Sequence, residues 1–244
     1  MNRIENEKQH GIKISDNAEA VWNWESPAGK KRANRRAQLL IEVGKIKGDS
    51  FALEIGCGTG LFTRKVFEAT KCNIVAIDIS DDLLKIAKEK LSTPSVDFRI
   101  GDAMNLDFPE NKFDVVFGSS VLHHLDMDKA YKEMFRVLKP GGRIVFAEPN
   151  MINPQILIQK NIPFIKKYLG DSPDETAIVR WKAKKELETL GYTNVNIFPY
   201  DFLHPVVPGF LTSVVEVVGK VVENIPVLKE IAGSVIMYAE KPIK

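Results

Sequence analysis

Cysteine is nearly absent, with Cys57 and Cys72 alone among 244 residues. Two thiols make no disulfide framework and are too few for a structural zinc site, so a reducing, cytoplasmic setting is expected. Long apolar runs are missing as well. No stretch reaches about 18 uninterrupted apolar residues, and the polar opening Met1-Asn2-Arg3-Ile4-Glu5-Asn6-Glu7-Lys8 lacks the apolar centre of a signal peptide. The expectation is a soluble protein without a transmembrane segment. Excess charge is lacking too: 34 basic residues face 32 acidic ones, a net +2 that does not argue for nucleic acid or an anionic membrane as partner. There is no internal repeat and no low-complexity tract.

What is present suits one sizeable α/β core with a modest accessory element, at 44% hydrophobic and 27% charged residues. From Phe51 onward, short apolar runs alternate with amphipathic segments of helix length, the signature of a parallel sheet covered on both faces. The expected strands are Phe51–Ile55, Asn73–Asp78, Val96–Ile100, Phe113–Gly118 and Gly142–Glu148. The expected helices between them are Leu61–Ala69, Asp81–Leu91 and Asp126–Leu138, with Asp81 as a cap and Pro140-Gly141-Gly142 ending the last.

Residues 1–48 are read as a helical cap, with helices at Asn17–Trp24 and Lys30–Val43 separated by Ser26-Pro27-Ala28-Gly29. Residues 49–148 form the core of this single domain. Residues 149–181 carry Pro149, Pro154, Pro163 and Pro173 and are read as a lid. Residues 182–244 resume the pattern with a helix at Lys182–Leu190, a strand at Asn194–Tyr200, an apolar helix near Pro208–Asn224 and a strand at Ser234–Glu240.

Gly56, Gly58 and Gly60 follow an apolar strand and precede a helix, where missing side chains permit a tight turn and close backbone approach to a ligand. A dinucleotide-binding loop looks similar, but the third glycine comes one place too early for G-x-G-x-x-G, and Leu61 stands at that site. Glu54, an acid in an apolar strand, requires hydrogen bonds from a ligand amine or the loop amides if buried.

The run Glu54-Ile55-Gly56-Cys57-Gly58-Thr59-Gly60 resembles the first motif of the class I S-adenosylmethionine-dependent methyltransferases, especially the small-molecule branch related to the ubiquinone and menaquinone enzymes. The resemblance extends over roughly Phe51 to Glu148. It implies a Rossmann-like α/β fold, a seven-stranded mostly parallel sheet with helices on both faces, and S-adenosylmethionine as cofactor. Glu54, Gly56, Cys57, Gly58 and Gly60 are then cofactor-binding, as are Asp78 and Ile79. Asp78 closes the second strand where a carboxylate can take both hydroxyls of a ribose; the plainer alternative is that it begins the turn. Gly101-Asp102-Ala103-Met104 resembles the adenine-contacting segment, giving Asp102 the exocyclic amine and the Ala103 amide a ring nitrogen, unless Asp102 only shapes the turn. The fourth-strand run from Phe113 to Leu125 places Ser119 at the methionine portion. Asp114 and Val137-Leu138-Lys139-Pro140-Gly141-Gly142 are family markers with structural parts.

His123 and His124 are the candidates for a general base, imidazole titrating near neutral pH; the alternative is that one braces the loop. No metal is expected, because no nearby third ligand is evident for the pair. Lys30-Lys31-Arg32-Ala33-Asn34-Arg35-Arg36 offers a basic patch for a phosphate or carboxylate, the cofactor's included, or else a solvated helical face. Trp22 and Trp24 shield a pocket or pack the cap. Leu211, Val214, Val215, Val218, Val221, Val222 and Ile225 recur at helical spacing, either packed on a core or favouring a lipid-like acceptor or a dimer face. Tyr200 and His204 are weaker candidates for contact with the acceptor.

The reading is methyl transfer by in-line displacement to a small-molecule acceptor, apolar or anionic, by a monomer or homodimer with no nucleic-acid partner. An NAD-dependent oxidoreductase and a noncatalytic methyltransferase-like interaction module are the alternatives.

Overall fold

The computed structural model describes residues 3–168 and 175–243; Pro173 of the expected lid lies outside them. The amino-terminal part holds α1 (Arg3–Ile14), α2 (Ala18–Val21) and α3 (Pro27–Gly44). The alternating core follows as β1 (Phe51–Ile55), α4 (Leu61–Thr70), β2 (Asn73–Asp78), α5 (Asp81–Lys90), β3 (Val96–Ile100), β4 (Phe113–Ser119), α6 (Met127–Val137) and β5 (Leu138–Pro149). After it come α7 (Pro154–Asn161), α8 (Pro163–Tyr168), α9 (Arg180–Thr189), β6 (Thr193–Tyr200), α10 (Thr212–Val222) and β7 (Ser234–Glu240).

The seven strands form one sheet in the order β3-β2-β1-β4-β5-β7-β6. β1 through β5 run parallel, while β7 runs antiparallel to both β5 and β6. Strand order reverses between β1 and β4, and the carboxyl ends on either side of that reversal open a crevice, the usual ligand position in open α/β sheets. Side chains of α3, α4 and α5, including Leu40, Val66 and Leu84, pack one sheet face with Ala52, Ile74 and Phe117. Those of α6 and α9, including Tyr131, Met134 and Leu187, pack the other with Leu53, Val116 and Phe146. The fold class is therefore the expected one: apolar residues alternate between two covered faces, as the near-continuous apolar strands require.

Local signals differ from the expectations at four places. α5 is capped by Ser80, whose hydroxyl accepts from the Leu83 amide at 3.4 Å; Asp81 instead pairs with Lys85. Pro140-Gly141-Gly142 does not end a helix but lies within β5, where Gly141 and Gly142 exchange backbone hydrogen bonds with Lys241. Pro27 occupies the first turn of α3, with the Ser26 hydroxyl accepting from Gly29 N at 3.0 Å, so the proline starts a helix earlier than expected. The polar α1 has no strong apolar stripe and was not anticipated; of Asn17–Trp24, only Ala18–Val21 is α-helical.

The basic run on α3 is not a solvated face. Lys31 pairs with Glu216, Arg32 with Asp201 and Arg35 with Glu223, and Arg36 is buried. These pairs fasten α3 to the chain after β6. The α10 stripe does not pack on a core either: Leu211, Val214, Val218, Val221 and Ile225 are all exposed.

Candidate active site

Three glycines turn the chain between β1 and α4 with positive φ, 67° at Gly56, 52° at Gly58 and 75° at Gly60. A side chain at Gly56 would put its Cβ 2.3 Å from Cγ2 of Val121, and one at Gly58 would meet the Trp22 ring at 3.0 Å. The loop is held from β2. Asp78 accepts from Gly58 N at 2.8 Å and from Ser80 N at 2.9 Å, while Cys57 N donates to Ile77 O. Burial raises the Asp78 pKa, against the two amides, which favour its charged form. Thr59 donates to Glu19 at 2.9 Å and Lys90 reaches the same carboxylate, tying α2 and α5 to the loop.

Glu54 lies beneath this loop, fully buried, and the loop amides turn elsewhere. Its Oε2 has no hydrogen-bond partner among the described residues. Burial pushes its pKa up to about 8, opposed by the neighbouring Thr63 hydroxyl. The expectation that the loop amides would satisfy this acid is thus corrected: Gly58 N goes to Asp78 and Gly60 N to Cys57 O.

A cavity of about 790 Å³ opens over the strand ends, within the range of roughly 300–1,000 Å³ that suits small molecules and cofactors. Gly56, Cys57, Gly58, Asp78, Ile79 and Ala103 line it, as do Ser119, His123 and His124. Ile156, Gln159, Glu175, Phe202, Leu203, His204 and Val206 border the same cavity. Of the residues expected at the cofactor, Glu54, Gly60 and Asp102 do not line the cavity. The Asp102 carboxylate accepts from Met104 N at 2.8 Å, the geometry of its own turn, so Gly101 and Ala103 face the cavity there.

The histidines belong to a charge cluster. His123 Nδ1 lies 2.6 Å from Glu148 Oε2, and its Nε2 lies 3.5 Å from Glu175 Oε1. Lys160 forms an ion pair with the same Glu175 oxygen. Burial would lower the His123 pKa, but the two carboxylates outweigh it and raise it to about 9. Burial acts oppositely on Glu148 and Glu175, and both end below the usual carboxylate range because His123 sits against them. Two cations thus face two anions. The His123 and His124 rings stand 4.2 Å apart. Glu175 does supply the third group that the sequence did not reveal, within 4.8 Å of atoms on both histidines; a metal ion there would compete with Lys160 for that carboxylate.

Arg36 is 3% exposed. Its guanidinium donates to the hydroxyls of Ser119 at 3.1 Å, Ser120 at 2.8 Å, Tyr200 at 3.0 Å and Ser234 at 2.9 Å, with its carbon 5.0 Å from the Trp24 ring centre. Four hydroxyls at the ends of β4, β6 and β7 are gathered by one cation. Tyr200 is thereby buried and bound to Arg36, whereas His204 stays exposed on the cavity wall. Sequence reading missed Glu148, Glu175, Lys160 and the inward turn of Arg36. Glu148 had a signal, a lone acid at the end of an apolar strand, the feature that drew notice to Glu54. The other three depend on long-range packing.

The residues present fit S-adenosylmethionine. The glycine cradle would be filled by any side chain, Glu54 keeps an orphaned buried oxygen beneath it, and Asp78 holds an acceptor at the cavity wall.

Residues 53–146 match the family model described as a methyltransferase domain. A demethylmenaquinone methyltransferase of Anoxybacillus flavithermus is 30% identical over 226 residues, covering 83% of this chain and 94% of its own length. One from Lactococcus lactis is 34% identical over 155 residues, covering 57% of this chain and 60% of its own. Phosphoethanolamine N-methyltransferase 2 of Haemonchus contortus, solved with S-adenosyl-L-methionine, superposes with a TM-score of 0.66 at 18% identity, covering 95% of this chain and 60% of that one. The chain thus spans less than two thirds of the Lactococcus and Haemonchus proteins.

Proposed function

Because the chain belongs to the class I S-adenosylmethionine-dependent methyltransferases, we propose that it transfers a methyl group to a small, largely apolar acceptor held in the same cavity. The observation that carries this reading is the mixed lining of one cavity. The glycine loop and Asp78, the group Ser119, His123 and His124, and the apolar Ile156, Phe202, Leu203 and Val206 all border it.

Bound S-adenosylmethionine supplies an electrophilic methyl group on a positively charged sulfur. Asp78 would take the ribose hydroxyls, Ile79 and Ala103 would flank the adenine with Asp102 beside them, and Ser119 would meet the methionine portion. Gly56, Cys57 and Gly58 would bring backbone against the cofactor, Gly60 opens the helix behind, and Glu54 closes the loop from below. In-line displacement needs an electron-rich acceptor atom in line with the methyl, and positioning accounts for much of such catalysis.

His123 is cationic at neutral pH, since its pKa is raised to about 9. In that state both ring nitrogens carry protons and face Glu148 and Glu175, so a base role for it requires loss of a proton first. His124 faces the same cavity and is the alternative base. The demethylmenaquinone named for the relatives is a quinone with an apolar tail, and a reduced quinone ring offers the electron-rich atom that this cavity would orient.

The test is a methyl-transfer assay with radiolabelled cofactor across reduced quinones, phosphoethanolamine and small amines. Turnover of the quinols above the amines is expected. Turnover confined to phosphoethanolamine or amines would overturn the apolar-acceptor reading.

A further inference from the structure

His123, His124 and Glu175 each place a donor atom within 4.8 Å of the others, and all three border the cavity that the glycine loop lines. Two imidazoles and one carboxylate are the mixed nitrogen and oxygen donors that hold zinc and neighbouring transition ions, whereas magnesium and calcium take oxygen alone.

The spacing within this group is a coordination distance. Nε2 of His123 lies 3.5 Å from Oε1 of Glu175, well beyond the roughly 2.7–2.9 Å of a charge-assisted hydrogen bond. Two ligands of one tetrahedral ion, each about 2.0–2.2 Å from it, stand about 3.4 Å from one another. The pair is therefore already at the edge length of such a site. His124 is the next residue along the short turn Leu122–His124, its ring centre 4.2 Å from that of His123, and a side-chain rotation closes the remaining difference.

The supports that a metal ligand needs are in place as well. Glu148 faces Nδ1 of His123 at 2.6 Å, and its other oxygen accepts the Val121 and Leu122 amides, so it keeps Nε2 turned toward Glu175. A ligand histidine gives its second nitrogen to such a carboxylate, which fixes its tautomer and strengthens it as a donor. The chain beside Glu175 is tied to the same turn, since Thr176 N donates to His123 O at 3.2 Å. Lys160 pairs with Glu175, so a cation already balances this carboxylate. With two oxygens to offer, Glu175 can give one to an ion and keep the other for the lysine.

We propose that His123, His124 and Glu175 form a site for one divalent transition-metal ion of the zinc type, with its fourth position open to the cavity. On binding, the ion takes the place of the Nε2 proton of His123, which leaves to solvent. The open position receives a hydroxyl oxygen of the acceptor and lowers its pKa, and that proton goes to water. The oxyanion makes the acceptor electron-rich: its electron pair forms the new bond to the methyl carbon, and the pair of the breaking bond returns to sulfur. In this respect the proposal rests on the methyl-transfer reading above and narrows the acceptor to one that carries a hydroxyl. The histidines then serve as ligands, and neither is needed as a base.

Cobalt(II) is the probe, because a four-coordinate cobalt site absorbs strongly in the visible and the aqueous ion does not. The full chain, stripped with a chelator, is titrated with Co2+ without cofactor or acceptor. One equivalent should bind with the bands of a four-coordinate site, and one equivalent of Zn2+ should bleach them. H124A and E175Q should each weaken Co2+ binding at least tenfold, with the Kd for S-adenosylhomocysteine unchanged, which establishes that they fold. K160M, which removes the competing ammonium, should tighten it severalfold. Absence of visible bands in the parent chain, or unchanged Co2+ affinity in both H124A and E175Q, overturns the proposal. A reduced quinone added to the cobalt-loaded chain should shift the bands, and quinol turnover without a shift overturns the ion's part at the acceptor. A cobalt site without turnover of any quinol leaves the metal assignment standing and refutes the acceptor reading, so the two failures are distinguishable.

Discussion

The two oxygens of Glu148 divide their work around His123: Oε2 meets the imidazole Nδ1 at 2.6 Å, while Oε1 accepts the amides of Val121 and Leu122 at 2.9 and 3.0 Å. One buried acid at the end of β5 thus fixes both the histidine and the backbone that carries it. Charge-assisted hydrogen bonds of this kind are the strong ones, and losing one partner leaves the other buried and uncompensated. E148Q should lower stability by about 2–4 kcal/mol, read by urea denaturation, with a weaker methyl-transfer rate than cofactor affinity alone would explain. An unchanged denaturation midpoint would remove Glu148 from this role.

The same pair sets a pH dependence. His123 has its folded pKa raised from 6.5 to about 9. Its contribution is therefore fully present below pH 6.5 and is lost as pH rises through about 9. Tm should fall between pH 6.5 and 9.5, by an amount reflecting on the order of 2–3 kcal/mol. In H123N that alkaline slope should flatten. If the variant keeps the slope, another group is titrating.

Asp78 is the residue most exposed to a direct binding test. D78N keeps the shape but weakens two amide contacts and removes the charge offered to a ligand's hydroxyls. With about 1.5 kcal/mol for each of two hydrogen bonds to a charged group, affinity for S-adenosylhomocysteine should fall on the order of 100-fold. Isothermal titration decides it; NAD binding by the parent chain in the same cell would revive the oxidoreductase alternative.

At Gly56 the limit is steric. G56A places a methyl group 2.3 Å from Val121 in a backbone at φ 67°, so both contact and conformation resist it. A loss of about 1–3 kcal/mol in stability is expected, together with loss of cofactor binding. Calorimetry and titration on one sample check both, and wild-type affinity would show that the loop does not approach the ligand.

R36M would strand four hydroxyls that now accept from one guanidinium. Stability should drop by about 2–4 kcal/mol, with the Tyr200 hydroxyl losing the donor it has in Arg36. R36K, a point charge without the planar fork, should recover less than half of that. Full recovery by lysine would mean that charge alone, and not the fork, joins β4, β6 and β7.

The seven strands were legible because each is a short apolar run closed by turn residues, and Ser234–Glu240 was delimited to the residue. Their order was not, since the antiparallel insertion of β7 between β5 and β6 depends on pairing across the sheet rather than on local pattern. The valine stripe of α10 was plain in the sequence, yet its direction depends on whether Glu216 and Glu223 find cations on α3. The glycine loop could be read as a local motif, but the partners of His123 come from segments far along the chain, and only folding brings Glu148 and Glu175 to opposite nitrogens of one ring.

Because β7 runs against its neighbours, it is its first residue, Ser234, that meets Arg36 beside the cavity, and its last residues leave at the opposite edge, where Lys241 bonds to Leu138 O and Asn111. A fluorescent label placed at Lys241 therefore stands away from the cavity mouth and leaves it open, which suits this position to binding measurements.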